Sequence, residues 1–273
     1  MGPMPELPEV ELAARSLRQW LVGRRLTALT VLDPKLAGPE EAQRWSAALV
    51  GQCGEAVERR AKYLLAHFTG GHTLLAHLRM TGRFVHHPYV TAPPKSERLR
   101  LRLDDGTAVG FQDTRRFGRV AVHPTPRLDE VPELAALGPD ALREPTSAQR
   151  LAELARGRRQ SIKALLMDQR RIGGLGNICA IEILYRAGIP PDTPAADLTE
   201  TELARLAAAT PPYLEWAIER QSHREVRYLG EPGAKNVFSI YRRAGEPCPA
   251  CGTPILRTVI AGRGTFHCPT CQQ

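Results

Sequence analysis

The chain has 273 residues, 42% hydrophobic and 24% charged, which is enough to bury a sizeable core and suits two domains better than one. No uninterrupted apolar stretch approaches the roughly 18 residues of a membrane span, and the acidic, proline-rich opening MGPMPELPEVE is unlike a secretory signal. An intracellular protein with no membrane partner is therefore expected. Lys and Arg outnumber Asp and Glu by 37 to 29, a net +8 that suits a polyanion, because each phosphate neutralised releases condensed counterions.

Pro8 to Leu21 reads as a helix: proline fits the first turn, Glu9 and Glu11 complement the positive end of the dipole, and Gly23 closes it. From Arg25 to about Val122, short runs such as LTALTVL, YLLAHF, TLLAHLRM, RLRLRL and VGFQ alternate with Gly, Pro and Asp, which predicts a largely antiparallel β domain. His123–Pro145, with five prolines, reads as a linker over a short helix. Beyond Ser147 the period is helical. One helix contains Ile162, Leu165 and Leu166; a second runs from Ile178 to Ala187, with Asn177 as its N-cap and Gly188 after it. Thr199 and Glu202 form a capping box for a further helix, which Pro211-Pro212 is expected to break or kink, and 222–236 reads as a polar loop. The expected organisation is a domain over 1–130, a linker over 131–146, a helical domain over 147–236 and a terminal module over 237–273.

The strongest chemical signal is Cys248-Pro-Ala-Cys251, sixteen residues, then Cys268-Pro-Thr-Cys271. Paired CxxC knuckles at this spacing match one structural Zn2+ in a closed tetrahedral site; two disulfides or free thiols are the competing reading. Cys53 and Cys179, alone in apolar surroundings, read as small buried hydrophobes. Between the knuckles, ILRTVIAGRGTFHC reads as a hairpin with Gly262-Arg263-Gly264 near its turn, where Arg263 is either a phosphate-binding fork or a solvated turn residue. In GGLGN, glycines permit close backbone approach and helix-start N–H groups attract an anion, with Lys163 on the preceding helix. On hydrophobicity alone Met80 and Phe117 read as core residues at strand ends.

Pro5-Glu6-Leu7-Pro8-Glu9-Val10-Glu11, Arg60-Ala61-Lys62-Tyr63-Leu64-Leu65, His77-Leu78-Arg79-Met80-Thr81-Gly82, Asp113-Thr114-Arg115-Arg116-Phe117-Gly118, the Ile162–Gln169 helix, Gly174-Leu175-Gly176-Asn177 and the cysteine tail occur in this order. Together they resemble the formamidopyrimidine-DNA glycosylase family, within the wider group that includes endonuclease VIII. The resemblance implies an α+β fold: an N-terminal antiparallel β-sandwich with a leading helix, a helical helix–two-turn–helix domain and a β-hairpin zinc finger. It implies a monomeric, cytoplasmic, nucleoid-associated bacterial protein that binds damaged double-stranded DNA between its domains. The implied activity is excision of oxidised purines with AP lyase strand cleavage. Pro5, once Met4 is removed, would be the nucleophile and Glu6 the proton donor, with Lys62 beside them; an α-amino group titrates near pH 8 and so supplies a neutral amine without burial. Met80, Arg115 and Phe117 would fill the space left by an everted nucleotide, and Lys62, Lys163, Asn177 and Arg263 would hold phosphates.

The chain departs from the family pattern at several points. Met-Gly-Pro precedes Met4, Asp-Thr replaces Asp-Pro before the paired arginines, a double proline lies in the last helix, and Gln221-Ser222-His223 and Gly233-Ala234-Lys235 replace the family's lid residues. Since the resemblance makes that loop the cover of the flipped base, 8-oxoguanine is expected to be handled poorly relative to ring-opened purines. A pyrimidine-selective glycosylase and a catalytically silent damaged-DNA-binding protein remain the alternatives.

Overall fold

Val10, Ala14, Leu17 and Leu21 recur at helical spacing and form the buried stripe of α1 (Leu7–Leu21). The computed structural model describes residues 4–222 and 236–273. The chain divides into two units, Met1–Pro5 with Glu9–Ala135, and Glu6–Pro8 with Ala136–Gln273.

In the first unit, eight strands form two antiparallel sheets. They are β1 (Leu26–Val31), β2 (Gly54–Arg60), β3 (Tyr63–Phe68), β4 (His72–His77), β5 (Arg83–Pro88), β6 (Glu97–Leu103), β7 (Thr107–Gln112) and β8 (Arg119–Pro124). The sheet orders are β1-β6-β7-β5 and β2-β3-β4-β8. Period-two alternation sends Leu64, Ala66, Phe68, Leu74 and Ala76 from one sheet, and Leu99, Leu101, Val109 and Phe111 from the other, into a shared core. The expected β-sandwich with a leading helix is present.

Two features went unread in the sequence. A helix, α2 (Pro39–Leu49), interrupts the strands; proline opens it, Glu40 and Glu41 occupy its first turn, and Trp45 is buried while its indole N–H donates to Glu41 at 2.7 Å. Strand β8 continues to Pro124, inside the stretch read as linker; the short helix expected in that stretch is present as α3 (Pro132–Ala135), after a 3-10 turn (Thr125–Glu130).

The second unit contains α4 (Ala148–Ala155), α5 (Ile162–Met167), α6 (Asn177–Ala187), α7 (Glu200–Ser222) and a hairpin of β9 (Leu256–Ile260) with β10 (Arg263–His267). Gly188, at φ 68°, closes α6 as expected. Asn177 is not the N-cap: Gly176 holds that place, and Asn177 is the first helical residue. The Thr199–Glu202 capping box is formed reciprocally, Thr199 N donating to Glu202 at 2.8 Å and Glu202 N to Thr199 Oγ1 at 3.3 Å. Pro211-Pro212 does not break α7, which runs unbroken through both. The carbonyls these prolines leave unbonded, on Ala207 and Ala208, belong to half-buried and exposed residues, where water can satisfy them. Cys179 is buried as expected, whereas Cys53 is only half-buried. Of the loop read over 222–236, residues 223–235 lie outside the described residues, and with them His223 and Gly233-Ala234-Lys235 of the atypical lid, while Gln221 and Ser222 end α7. No described helix is long and apolar enough to cross a membrane.

Candidate nucleic-acid interface

The glycine turn before α6 serves a purpose the sequence did not disclose. Glu6 is buried, and its two carboxylate oxygens accept the first free amides of α6, Ile178 N at 2.8 Å and Cys179 N at 2.9 Å. The cap assigned to Asn177 is thus supplied by Glu6, 172 residues away along the chain. Helix amides and dipole both favour the anion there. The glycines make room: a Cβ on Gly176 would overlap the Glu6 carboxyl, and one on Gly174 would lie 2.5 Å from Leu7 Cδ1. Gly174 also has φ +102°, and its carbonyl accepts Leu7 N at 3.2 Å. Pro5, the residue before Glu6, is buried.

Lys163, Asn177 and Arg263 are brought together around the hairpin. Lys163 is 0% exposed and donates to Thr265 Oγ1 at 2.7 Å, and Thr265 Oγ1 donates in turn to Arg263 O at 3.0 Å. Asn177 Nδ2 donates to Gly264 O at 3.1 Å, leaving its buried Oδ1 without a partner among the described residues. Burial, and then the nearby Arg263 charge, push the Lys163 ammonium down to about 8, against the pull of Glu6. The turn between β9 and β10 is Ala261-Gly262, both with positive φ, so Arg263 opens β10 as an exposed residue rather than lying in the turn.

Beyond that hairpin the four cysteines converge, with all four sulfurs within 4.8 Å of one another and none in a disulfide. Cys248–Cys271 and Cys251–Cys268 are 3.8 and 3.4 Å apart. Tetrahedral zinc with Zn–S of about 2.3 Å requires S···S of about 3.8 Å, so the donor set fits one structural zinc. Tyr185 Oη, on α6, lies 3.2 Å from Cys248 Sγ.

In the first unit, Lys62 is buried in the two-residue turn between β2 and β3, where Ala61 has φ 54°. Fully buried Arg59 secures that turn, donating to Ala61 O and, through Nε, to Glu11 of α1 at 2.9 Å. Met80 is half-buried and Phe117 is 51% exposed; neither joins the core cluster, contrary to the reading from hydrophobicity alone. The paired arginines take opposite parts. Arg116, at φ 59°, grips buried Asp33 with both Nε and a terminal nitrogen, the Nε contact being 2.6 Å. Arg115 lies over the Phe117 ring, 4.8 Å from its centroid.

Glu182 escaped the sequence reading. Fully buried on α6, it accepts Ser239 N, Ile240 N, Tyr241 N and the Arg186 guanidinium at 2.8–3.1 Å, fastening the chain that leads into the zinc module. The signal was available: one acid inside the apolar run NICAIEIL requires a partner.

A sandwich, a helical unit with a carboxylate clamped at a helix start, and a four-cysteine hairpin define a DNA glycosylase of the helix–two-turn–helix class. Family models match on all three parts: the formamidopyrimidine-DNA glycosylase N-terminal domain over residues 4–120, its H2TH domain over 137–227, and a zinc finger found in FPG and IleRS over 245–273. The chain belongs to the formamidopyrimidine-DNA glycosylase family. It is 43% identical over 278 residues to the formamidopyrimidine-DNA glycosylase of Gluconobacter oxydans (99% of this chain, 100% of that one) and 41% identical over 279 residues to that of Roseiflexus sp., with the same coverage. Among solved structures, the Lactococcus lactis enzyme in complex with DNA containing an abasic site matches with TM-score 0.89 at 29% identity, covering 98% of this chain and 100% of that one. The same enzyme on DNA containing an oxidised pyrimidine matches with TM-score 0.88 at 30% identity, with the same coverage.

Proposed function

We propose that this bifunctional base-excision glycosylase and AP lyase removes oxidised purines from duplex DNA, with the free amine of Pro5 as nucleophile. The observation that carries the reading is the clamped Glu6 carboxylate, which follows Pro5 directly in the chain and is held by two helix amides. A secondary amine at Pro5 attacks C1′ of the damaged nucleotide, and the base departs with its bonding electrons and is protonated by water. The Glu6 carboxylate takes the proton that the attacking Pro5 nitrogen loses and gives it to the sugar O4′ as the ring opens, leaving an iminium between Pro5 and C1′. The iminium acidifies C2′–H; loss of that proton expels the 3′ phosphate, and water then releases the enzyme. Lys163, Asn177 and Arg263 hold the phosphates about the lesion, Lys62 assists near the sugar, and Met80, Arg115 and Phe117 occupy the stack. The zinc holds the hairpin carrying Arg263 and takes no part in bond making. We assign residues 1–130 to the catalytic domain, 131–146 to the linker, 147–236 to the helix–two-turn–helix domain and 237–273 to the zinc module, in a monomer working in the cytoplasm at the nucleoid.

The test is borohydride trapping on an 8-oxoguanine duplex, comparing chains that begin at Pro5 and at Gly2, with peptide mapping of the adduct. Trapping at Pro5 by the first form alone is expected, because an internal proline nitrogen is a tertiary amide without a basic lone pair. Equal trapping by the Gly2 form, with the adduct mapped elsewhere, would overturn the assignment of Pro5. A second reading, that oxidised pyrimidines are also accepted, draws on the relative captured with such a lesion. Parallel single-turnover rates on purine and pyrimidine lesions separate the two.

A further inference from the structure

Asp113 is a carboxylate that the catalytic reading leaves without a task. It is 1% exposed, at the exit of β7, and is bonded to both turns that carry Met80, Arg115 and Phe117. Its Oδ1 accepts the Thr81 hydroxyl in a short hydrogen bond and Arg115 N at 3.1 Å, and its Oδ2 accepts Gly118 N at 2.6 Å. Thr81 Oγ1 also accepts Arg115 N, at 3.1 Å, closing a ring of bonds between residue 81 on one turn and residue 115 on the other. The main chain of Asp113 is itself fixed, its N–H donating to Ser96 O at 2.8 Å and its carbonyl accepting Arg98 Nε at 2.8 Å. Glycines seat both turns on one ring: a Cβ on Gly82 would lie 3.0 Å from Phe111 Cζ, and one on Gly118 2.6 Å from the same atom. Arg79 and Arg116, the residues before Met80 and Phe117, hold φ of 55° and 59°, conformations that need support from outside the turn.

We infer that Asp113, acting through Thr81, is the positioning residue that locks the Met80 turn and the Arg115–Phe117 turn into one rigid wedge. A wedge enters a base stack usefully only if its parts keep their spacing while stacking energy of a few kcal/mol opposes them. A carboxylate accepting three donors supplies that rigidity; an apolar or amide residue at 113 would strand at least one buried donor. The inference rests on reading Met80, Arg115 and Phe117 as the residues that enter the duplex.

Thr81→Val tests it, since the change removes the hydroxyl and keeps the shape. Single-turnover excision of 8-oxoguanine opposite cytosine in duplex DNA should fall about tenfold, the worth of one buried hydrogen bond. Cleavage of a single-stranded oligonucleotide bearing a ready-made abasic site, which has no stack to fill, should stay within about twofold of wild type. Thr81→Ser should restore duplex excision, and adding Thr81→Val to Phe117→Ala should slow it little beyond Phe117→Ala alone. Asp113→Asn, which swaps an acceptor for a donor, should show the same duplex-selective loss if it folds. A Thr81→Val enzyme that slows equally on both substrates, or multiplies fully with Phe117→Ala, would show a general structural role and overturn the inference. So would unchanged duplex excision in Thr81→Val while Phe117→Ala is slow, and there the wedge reading would survive. If Met80→Ala and Phe117→Ala both excise at the wild-type rate, the wedge reading fails and the positioning role falls with it.

Discussion

The two units present their polar machinery in opposite ways. In the second, Glu6, Lys163 and Asn177 are themselves bonded to backbone or hydroxyl groups, so the side chains proposed to act there are held directly. In the first, Phe117 projects into solvent and Arg115 rests on it, while buried Asp113 and Asp33 hold the main chain and Arg116 beneath them. A residue that must develop or neutralise charge at a fixed point gains from direct bonding. One that must slide between bases needs a free tip on a stiff base. Substitutions should therefore act differently in the two regions.

The largest effect is expected where fixation is tightest. Glu6→Gln removes the carboxyl proposed to carry the proton and places an amide against two N–H groups it cannot both satisfy, so single-turnover excision should fall by about 10²–10⁴ with duplex affinity nearly intact. Gly176→Ala should imitate it without touching the carboxyl, because its Cβ overlaps the Glu6 side chain. A Gly176→Ala enzyme of normal rate would mean that the clamp seen here is not the catalytic arrangement. Zinc removal comes next. Chelation, or Cys268→Ser, should remove one equivalent of metal and cost at least about tenfold in duplex affinity, since the hairpin bonded to Lys163 and Asn177 loses its anchor. Circular dichroism of the first unit's strands should change little.

Single truncations sharpen the contrast further. Phe117→Ala and Met80→Ala should slow duplex excision about tenfold while barely altering affinity for undamaged duplex. Arg263→Ala should weaken damaged and undamaged duplex alike and reduce the salt slope by about 0.9. Equal losses in both assays for Phe117→Ala would erase the difference between the regions.

How far these regions could be read in advance follows the range of the interactions. The zinc ligands lie within 24 residues of one another with fixed spacing, so local pattern sufficed for them and for the hairpin between them, though not for its turn residues, which are Ala261-Gly262. The Thr199–Glu202 box was legible for the same reason. Glu6 at the start of α6 was not, because the bond spans 172 residues and its only local trace is two glycines that equally suit a phosphate. Pro211-Pro212 do not bring the break that was one of the two expected outcomes, because the cost of proline in a helix depends on whether the freed carbonyls meet water, which the sequence does not state. Asp113 opens the Asp-Thr-Arg-Arg-Phe-Gly motif, yet nothing local distinguishes a buried three-donor acceptor from a turn-forming aspartate.

The smallest predicted effect is a pH dependence belonging to the second region alone. Burial and the Arg263 charge bring Lys163 down to about 8 from an ordinary value of 10.5. In the free protein the ammonium therefore loses its proton as pH rises through 8, while an unfolded chain would keep it to 10.5; folding stability from this group accordingly rises with pH across that window. DNA binding has the opposite sign. A phosphate seated at Lys163 favours the cation, so above pH 8 binding must take up a proton, and log Kd should gain a slope approaching one per pH unit. Lys163→Arg keeps its charge throughout and should flatten the dependence between about pH 7 and 9. Calorimetry in two buffers of different ionisation enthalpy measures the uptake directly: close to one proton at pH 9 for the wild type and none attributable to this site for the arginine variant. An identical slope in both proteins would place the phosphate elsewhere and leave the Lys163–Thr265 bond as a support for the hairpin.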